Sequence, residues 1–509
     1  MRASGYNIYI KFKESENWML IHGYTGAIDL VQEKVVLFLK KGGKESSLNK
    51  FKIRYETMDL LKKRGYLTNL TIGEEREVVK RIAQKISKLN KRKSSYLFLV
   101  TYDCNFRCPY CYENKISGFG KTWSKKKLSK GLVDKSYKAM LQIQSDRNLH
   151  QNNITLYGGE PLMYNNYEIV SYIVNEGSKR GYVFNAITNG YDLNYYNELL
   201  KPGKIETVQI TIDGAQEVHD KRRIHFQAKN TFYHILNNIE RTLIKGVEVI
   251  VRVNTEESTI NDLSKLSDVF IKRGWNKLPN FKVYSATTHG KNEAIDCRAV
   301  MSRKGKEISS CHIPSEDMYP IQIDVSNLKN TGIHEIFETS KDYSAGNISH
   351  FNISRVDYAN KLYDIKDSND HIMACNELAI KLKIKQLINN KKLAFRTEFC
   401  GAQTGMYIFD PNGDLYSCWE VVGMNEHKIG RYNKELEIDI SELDKWQGRN
   451  ITTVESCSIC KYAFFCGGGC EAQALFKGKG PRSPYCDSFP KTFENVLSES
   501  YNGNLILFE

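Results

Sequence analysis

Three cysteines stand close together in Cys104-Asn105-Phe106-Arg107-Cys108-Pro109-Tyr110-Cys111, a C-x3-C-x2-C spacing. Thiolates this close can hold three irons of a [4Fe–4S] cube and leave the fourth iron without a protein ligand. A structural zinc ion wants four protein ligands. The next cysteine is Cys297, so zinc here would need a distant or histidine ligand. A second concentration lies near the end of the chain: Cys400, then Cys418 shortly after Gly413, then Cys457-x2-Cys460-x5-Cys466-x3-Cys470, and finally Cys486. A zinc ribbon built from the C-x2-C and C-x3-C pairs would leave Cys400, Cys418 and Cys486 without a role. Cys297, Cys311 and Cys375 complete the thirteen cysteines.

The elements around the first cluster alternate. YLFLVTYD runs directly into Cys104. NITLYGGE, YVFNAITNG, TVQITIDG, EVIVRVN and NFKVYSA follow as further strands, with helical patterns near 133–145, 167–179, 194–200, 231–245 and 260–273 between them. Six strands alternating with helices predict right-handed crossovers and a parallel sheet. Curved into a partial (β/α)6 TIM-like barrel, such a sheet puts chemistry at the C-terminal ends of its strands. The cysteine loop is at one such end.

Residues 1–93 read as a separate winged-helix-like unit. Its strands are NIYIKF, WMLIHG and AIDLV, and its helices lie near 32–42, 47–64 and 74–90. The remaining divisions of this α/β chain are 94–330 for the barrel, 331–393 for a bridging region that is hard to read, and 394–509 for a cysteine- and glycine-rich module organised by ligands.

The net charge of +14 suits an acidic partner but does not choose one. The basic runs are short and no base-reading motif appears, so nucleic acid is not expected. No stretch approaches the roughly 18 apolar residues of a membrane span, and MRASGYNIYIKFKES lacks the apolar core of a secretory signal. The expectation is a cytoplasmic chain with no membrane partner, whose thiols serve metal ligation more readily than disulfides.

With Tyr110 before the third cysteine, the first cluster resembles the signature of the radical S-adenosylmethionine (SAM) superfamily. The resemblance implies that Cys104, Cys108 and Cys111 hold the catalytic [4Fe–4S] cluster. Its open iron would chelate SAM, whose reductive cleavage yields a 5′-deoxyadenosyl radical. Gly158-Gly159-Glu160-Pro161 matches the family's GGEP element, which receives the methionine ammonium. Thr211-Ile212-Asp213-Gly214 with His219-Asp220-Lys221-Arg222-Arg223 resembles its SxDG…HDxxR element, so Thr211 and Arg223 inherit the contact with the SAM carboxylate. Thr188, Asn189 and Asn254 at other strand ends are expected beside the ribose or adenine.

The late cysteines resemble the SPASM extension of radical SAM enzymes, which holds two auxiliary clusters and brings the expected total to three. The resemblance gives Cys457, Cys460, Cys466 and Cys486 to the outer cluster, and Cys400, Cys418 and Cys470 to the inner one. The upstream cysteine that some members add is missing from AFRTEF. Either Cys375 completes the inner cube or one of its irons stays open.

Members of this group include maturases that oxidise a sulfatase residue and maturases that cross-link ribosomally made peptides. The front unit looks like the peptide-recognition element of the second kind, in which a leader peptide adds as a strand to an exposed sheet edge. The leading expectation is a peptide maturase that installs a thioether or carbon–carbon cross-link. Its partners would be a precursor peptide and a flavodoxin- or ferredoxin-type electron donor. The alternatives are sulfatase-maturase-like oxidation of a protein side chain and a small-molecule radical SAM dehydrogenase.

Overall fold

A computed structural model describes residues 1–12, 16–111, 125–256, 259–287, 321–324, 337–339, 374–375, 392–486, 489–500 and 507–508. Cys297, Cys311 and nearly all of the bridging region lie outside this set.

The six expected barrel strands are Ser94–Thr101, His150–Gly158, Val183–Thr188, Ile205–Thr211, Glu248–Thr255 and Phe281–Thr287. They are all parallel and paired in sequence order. Helices such as Lys130–Ile143, Tyr167–Lys179 and Phe232–Ile244 connect them. Both faces of the sheet are covered, which explains the unbroken apolar run Leu97, Phe98, Leu99, Val100 in its first strand, each 2% exposed or less.

The sheet does not stop at the barrel. Met406–Phe409 adds parallel to the first strand, with Ile408 opposite Leu97, and turns through an antiparallel hairpin into Asp414–Tyr416. The cysteine-rich module is therefore continuous with the barrel sheet. At the opposite edge Ala374–Cys375 adds parallel to the sixth strand, with Cys375 opposite Ser285.

The front unit is a three-stranded antiparallel sheet of Asn7–Lys11, Asn17–His22 and Ile28–Gln32. Side chains alternate across it. Leu20 and Val31 enter a core with Val35, Val36, Phe38, Leu39, Met58 and Leu61 from its own helices. Ile8, Ile10, Met19, Ile21 and Leu30 instead share a core with Phe493 and Leu497 of the C-terminal helix Phe489–Ser500.

This packing joins the front unit to the C-terminal module. Helix Ile72–Asn90 also sends Val79, Ala83 and Ile86 into one core with Cys457 and Phe464. Its start is fixed by a Thr71–Glu74 capping box, in which Thr71 Oγ1 accepts from Glu74 N at 3.2 Å and Glu74 Oε2 accepts from Thr71 N at 2.7 Å. At one edge of the front sheet Leu507–Phe508 pairs parallel with Leu30 and Val31. The single helix expected over 47–64 is two, Leu48–Phe51 and Tyr55–Lys63. Lys52 takes the left-handed conformation (φ 52°) and Arg54 is extended between them.

Candidate functional site

The cysteine loop is fastened on two sides. On one, Gly159 N donates to Thr101 O (2.9 Å) and Glu160 N to Asp103 O (2.8 Å). A Cβ on Gly158, which has φ +135°, would lie 2.2 Å from Thr101 O, and one on Gly159 would lie 2.2 Å from Asp103 O. These glycines let the second strand's end close onto the loop itself. On the other side Arg107 N donates to Ile224 O (2.7 Å) and Phe226 N to Asn105 O (3.0 Å). The residues after Arg223 are thus laid along the loop.

His219 and Asp220 hold that segment in place. Asp220 Oδ1 accepts from Thr231 N (2.8 Å) and Phe232 N (3.1 Å) at the start of helix Phe232–Ile244. His219 is buried against the Thr231 hydroxyl (3.2 Å), and burial holds its pKa well below the usual range, so the ring is neutral.

Tyr110 is a junction. Its hydroxyl donates to the Asp213 carboxylate and accepts from Arg223 Nη1 at 3.0 Å, with Asn254 Nδ2 at 3.5 Å. Arg222 Nε donates to Asp213 at 3.3 Å and its other arm pairs with Glu256. The Arg223 guanidinium also lies over the Phe106 ring, 5.3 Å from its centre. Arg223 is 8% exposed, and its Nε donates to nothing in the structure. A buried cationic donor held beside the cysteine loop suits a carboxylate such as that of SAM.

Glu160 is 1% exposed and heavily hydrogen-bonded. It accepts from Leu162 N (2.8 Å), the Thr188 hydroxyl (2.6 Å) and Asn189 N. Burial dominates these bonds and pushes its pKa up to about 7. Pro161 is buried behind it. Asn189 Nδ2 donates to Asn105 Oδ1 at 2.7 Å. Thr188 and Asn189 thus hold Glu160 and the cysteine loop in this structure. Thr211 ends the fourth strand opposite Arg252, whose Nε donates to Asn254 Oδ1 at 2.9 Å.

Electrostatic coupling divides the described thiols into three sets. Cys104 is coupled to Cys108 and Cys111; Cys457 to Cys460, Cys466 and Cys486; and Cys470 to Cys418 and Cys400. Burial raises all of these thiol pKa values for which a shift is seen, with Cys400 and Cys466 up to about 11 and Cys457 up to about 12. Ligation must therefore displace protons. Among the described residues no three His, Cys, Asp or Glu side chains gather at the position of a single metal ion. Three grouped thiols are the donor set of a [4Fe–4S] cube with one iron left open, and four fill one.

Around the C-terminal sets, Arg449 is fully buried and donates to Gly469 O (2.7 Å), Gly468 O (2.8 Å) and Ser483 O (2.8 Å), pinning the Cys466–Cys470 glycine run. Glu398 accepts from Thr397 (2.6 Å), Asn90 (3.0 Å) and Ser87, which ties helix Ile72–Asn90 to the chain just before Cys400. Glu471, next to Cys470, is 2% exposed, and burial pushes its carboxyl up to about 9. Glu256, Arg449 and Glu471 were not singled out by sequence reasoning, and Asp213 and Arg222 stood within the quoted segments without a role of their own. For Glu471 the signal was charge beside small residues, in Cys470-Glu471-Ala472-Gln473-Ala474.

Residues 98–265 match the family described as the Radical SAM superfamily. The cysteine-type anaerobic sulfatase-maturating enzyme of Clostridium novyi (strain NT) is 22% identical over 420 residues, which are 78% of this chain and 93% of that one. The solved structure of native anSMEcpe with bound AdoMet superposes with a TM-score of 0.51 at 15% identity, covering 80% of this chain and 99% of that one. Streptococcus suis SuiB gives a TM-score of 0.46 at 13% identity, with 95% and 98% covered.

Residues 98–265 thus carry the features of a radical SAM domain: a parallel sheet with a three-thiol loop at its first strand end, met by Gly158-Gly159-Glu160-Pro161 and Arg223. The fold of the chain is similar to that of native anSMEcpe, and its sequence is similar to that of a sulfatase-maturating enzyme.

Proposed function

We propose that the chain is a peptide maturase that abstracts hydrogen from a ribosomally made precursor peptide and installs a thioether or carbon–carbon cross-link. When bound, the cluster at Cys104, Cys108 and Cys111 would supply the electron that splits SAM into methionine and a 5′-deoxyadenosyl radical. The protein's own residues hold the cofactor: Glu160 takes the methionine ammonium, Arg223 takes its carboxylate, and Tyr110 and Asn254 keep Arg223 aligned. Thr211 supports the same carboxylate from the neighbouring strand end. The C-terminal thiols would hold two further clusters.

The observation that carries the peptide reading is the front sheet, which accepts an added strand along Ile28–Gln32. A site that pairs through backbone groups can take a leader peptide, with side-chain pockets supplying selection. The extended similarity to a sulfatase-maturating enzyme favours a second reading, oxidation of a side chain on a folded protein or its peptide.

The deciding experiment is turnover by the full chain, reconstituted anaerobically and supplied with a flavodoxin- or ferredoxin-type reductant. It should bind about twelve irons, release 5′-deoxyadenosine and convert a candidate precursor peptide to a product lighter by two hydrogens. Cys104, Cys108 and Cys111 changed together to Ala should abolish SAM cleavage and leave about eight irons. Stoichiometric zinc in strictly anaerobic protein would sink the cluster assignment. Oxidation of a sulfatase peptide but not of a candidate precursor peptide would decide for the second reading.

A further inference from the structure

The inner thiol set, Cys400, Cys418 and Cys470, has one ligand fewer than a cube needs, and the described residues place a carboxylate beside it. Glu471 follows Cys470 directly, opens the short helix Glu471–Phe476 and is 2% exposed. Its carboxyl lies beside the Gln403 amide and the Arg449 guanidinium without meeting the full geometry of a hydrogen bond to either. Its charge is felt at both Cys400 and Cys418, so it lies toward the thiols and not away from them.

A buried polar group without well-formed hydrogen bonds costs stability, and such groups persist where a cation or metal completes them. Two donors nearby are also incomplete. Arg449 Nε and Gln403 Nε2 lack acceptors, although Arg449 spends its terminal nitrogens on Gly468, Gly469 and Ser483 and Gln403 Oε1 accepts from Phe399 N at 2.6 Å. One carboxylate oxygen bound to iron would leave the other to accept from these donors, so a single event satisfies all three groups. Cys375 is the thiol alternative. It stands on the strand paired with Phe281–Thr287, at the far edge of the sheet from Met406–Phe409 and the hairpin that leads to Cys418.

We propose that Glu471 is the fourth protein ligand of the inner auxiliary cluster, giving it one oxygen-ligated iron among three thiolate-ligated ones. Iron–sulfur sites accept non-thiolate ligands, and an oxygen donor differentiates one iron from the rest. This rests on the three-cluster reading above.

The test uses the full chain, reconstituted anaerobically with 57Fe and saturated with SAM so that the open iron of the Cys104–Cys111 set is occupied. The probe is 13C-labelled cyanide, which binds an open iron and is detected by ENDOR. Wild type should take up no cyanide, Glu471→Ala should take up one per chain, and Cys375→Ala should behave as wild type. Mössbauer spectra should show two differentiated irons per chain in wild type, one bound to SAM and one to Glu471, but a single one in Glu471→Cys, whose inner cube is then held entirely by thiolates.

Cyanide bound by SAM-saturated wild type overturns the proposal, as does a Glu471→Ala protein that retains its clusters and takes none. A Cys375→Ala protein that opens an iron while Glu471→Ala does not assigns the site to the thiol. If Glu471→Ala loses its inner iron, the Cys variant decides: restored iron with one differentiated site supports the proposal, and spectra identical to wild type refute it. Wild type holding only about four irons would instead fail the underlying cluster reading.

Discussion

Val31 and Phe508 are paired in one sheet although they stand near opposite ends of the chain. The parallel pairing involves only Leu507 and Phe508, and each backbone hydrogen bond contributes about 1 kcal/mol net, so the tail is a weak occupant of that edge. A leader peptide joining Ile28–Gln32 claims the same backbone groups. A chain ending at Ser500 should therefore bind the precursor's leader more tightly than the full chain does, as measured by fluorescence anisotropy of the labelled peptide. Equal affinities would place the leader elsewhere. This cut tests the front unit more cleanly than removal of residues 1–93, because Val79, Ala83 and Ile86 share a core with Cys457.

Arg223→Ala should weaken SAM binding by roughly 10- to 150-fold, the equivalent of a lost charge-assisted contact of about 1.5–3 kcal/mol. Asp213 keeps Arg222 as a cationic neighbour, so cluster content should stay near wild type. Isothermal titration with SAM checks the first statement and iron analysis the second. Unchanged SAM affinity would mean that Arg223 serves only to hold Tyr110.

Glu160 makes SAM binding depend on pH. Burial raises its pKa from 4.5 to about 7, so the folded protein keeps the carboxyl protonated over a range in which the unfolded chain has ionised it. Stability from this group is thus lost as pH climbs from about 4.5 to about 7 and is flat above. An ammonium ligand prefers the carboxylate, so SAM affinity should strengthen as pH rises through about 7. Glu160→Gln should bind weakly and flatten the profile. A wild-type profile with no inflection near neutrality would remove Glu160 from the ammonium site.

Arg449→Met removes three hydrogen bonds to Gly468, Gly469 and Ser483 from a fully buried site. Charged hydrogen bonds of this kind contribute about 1.5–3 kcal/mol each, without simple additivity. The variant should lose iron from the C-terminal sets while retaining about four irons at the barrel loop. Full iron content would show that the glycine run orders itself without the guanidinium.

The cysteine spacings, the Gly-Gly-Glu-Pro and His-Asp-x-x-Arg segments and the six alternating strands were legible in the sequence, because ligand spacing and apolar periodicity are local properties. Each barrel strand carries its own pattern, and the crossovers order the strands. What surrounds those residues was not legible. Tyr110 meets Asp213 and Arg223 only because the first and fourth strands end on one face of the barrel, and Glu471 and Arg449 reach the inner thiols through contacts distant in sequence. The bond between Tyr6 and Ser458 and the shared core of Ile8, Met19, Phe493 and Leu497 likewise join the first residues to the last module. Such pairings depend on which surfaces the folded chain brings together to exclude water. One-dimensional patterns encode which face of an element is apolar, but only tertiary structure decides what that face meets.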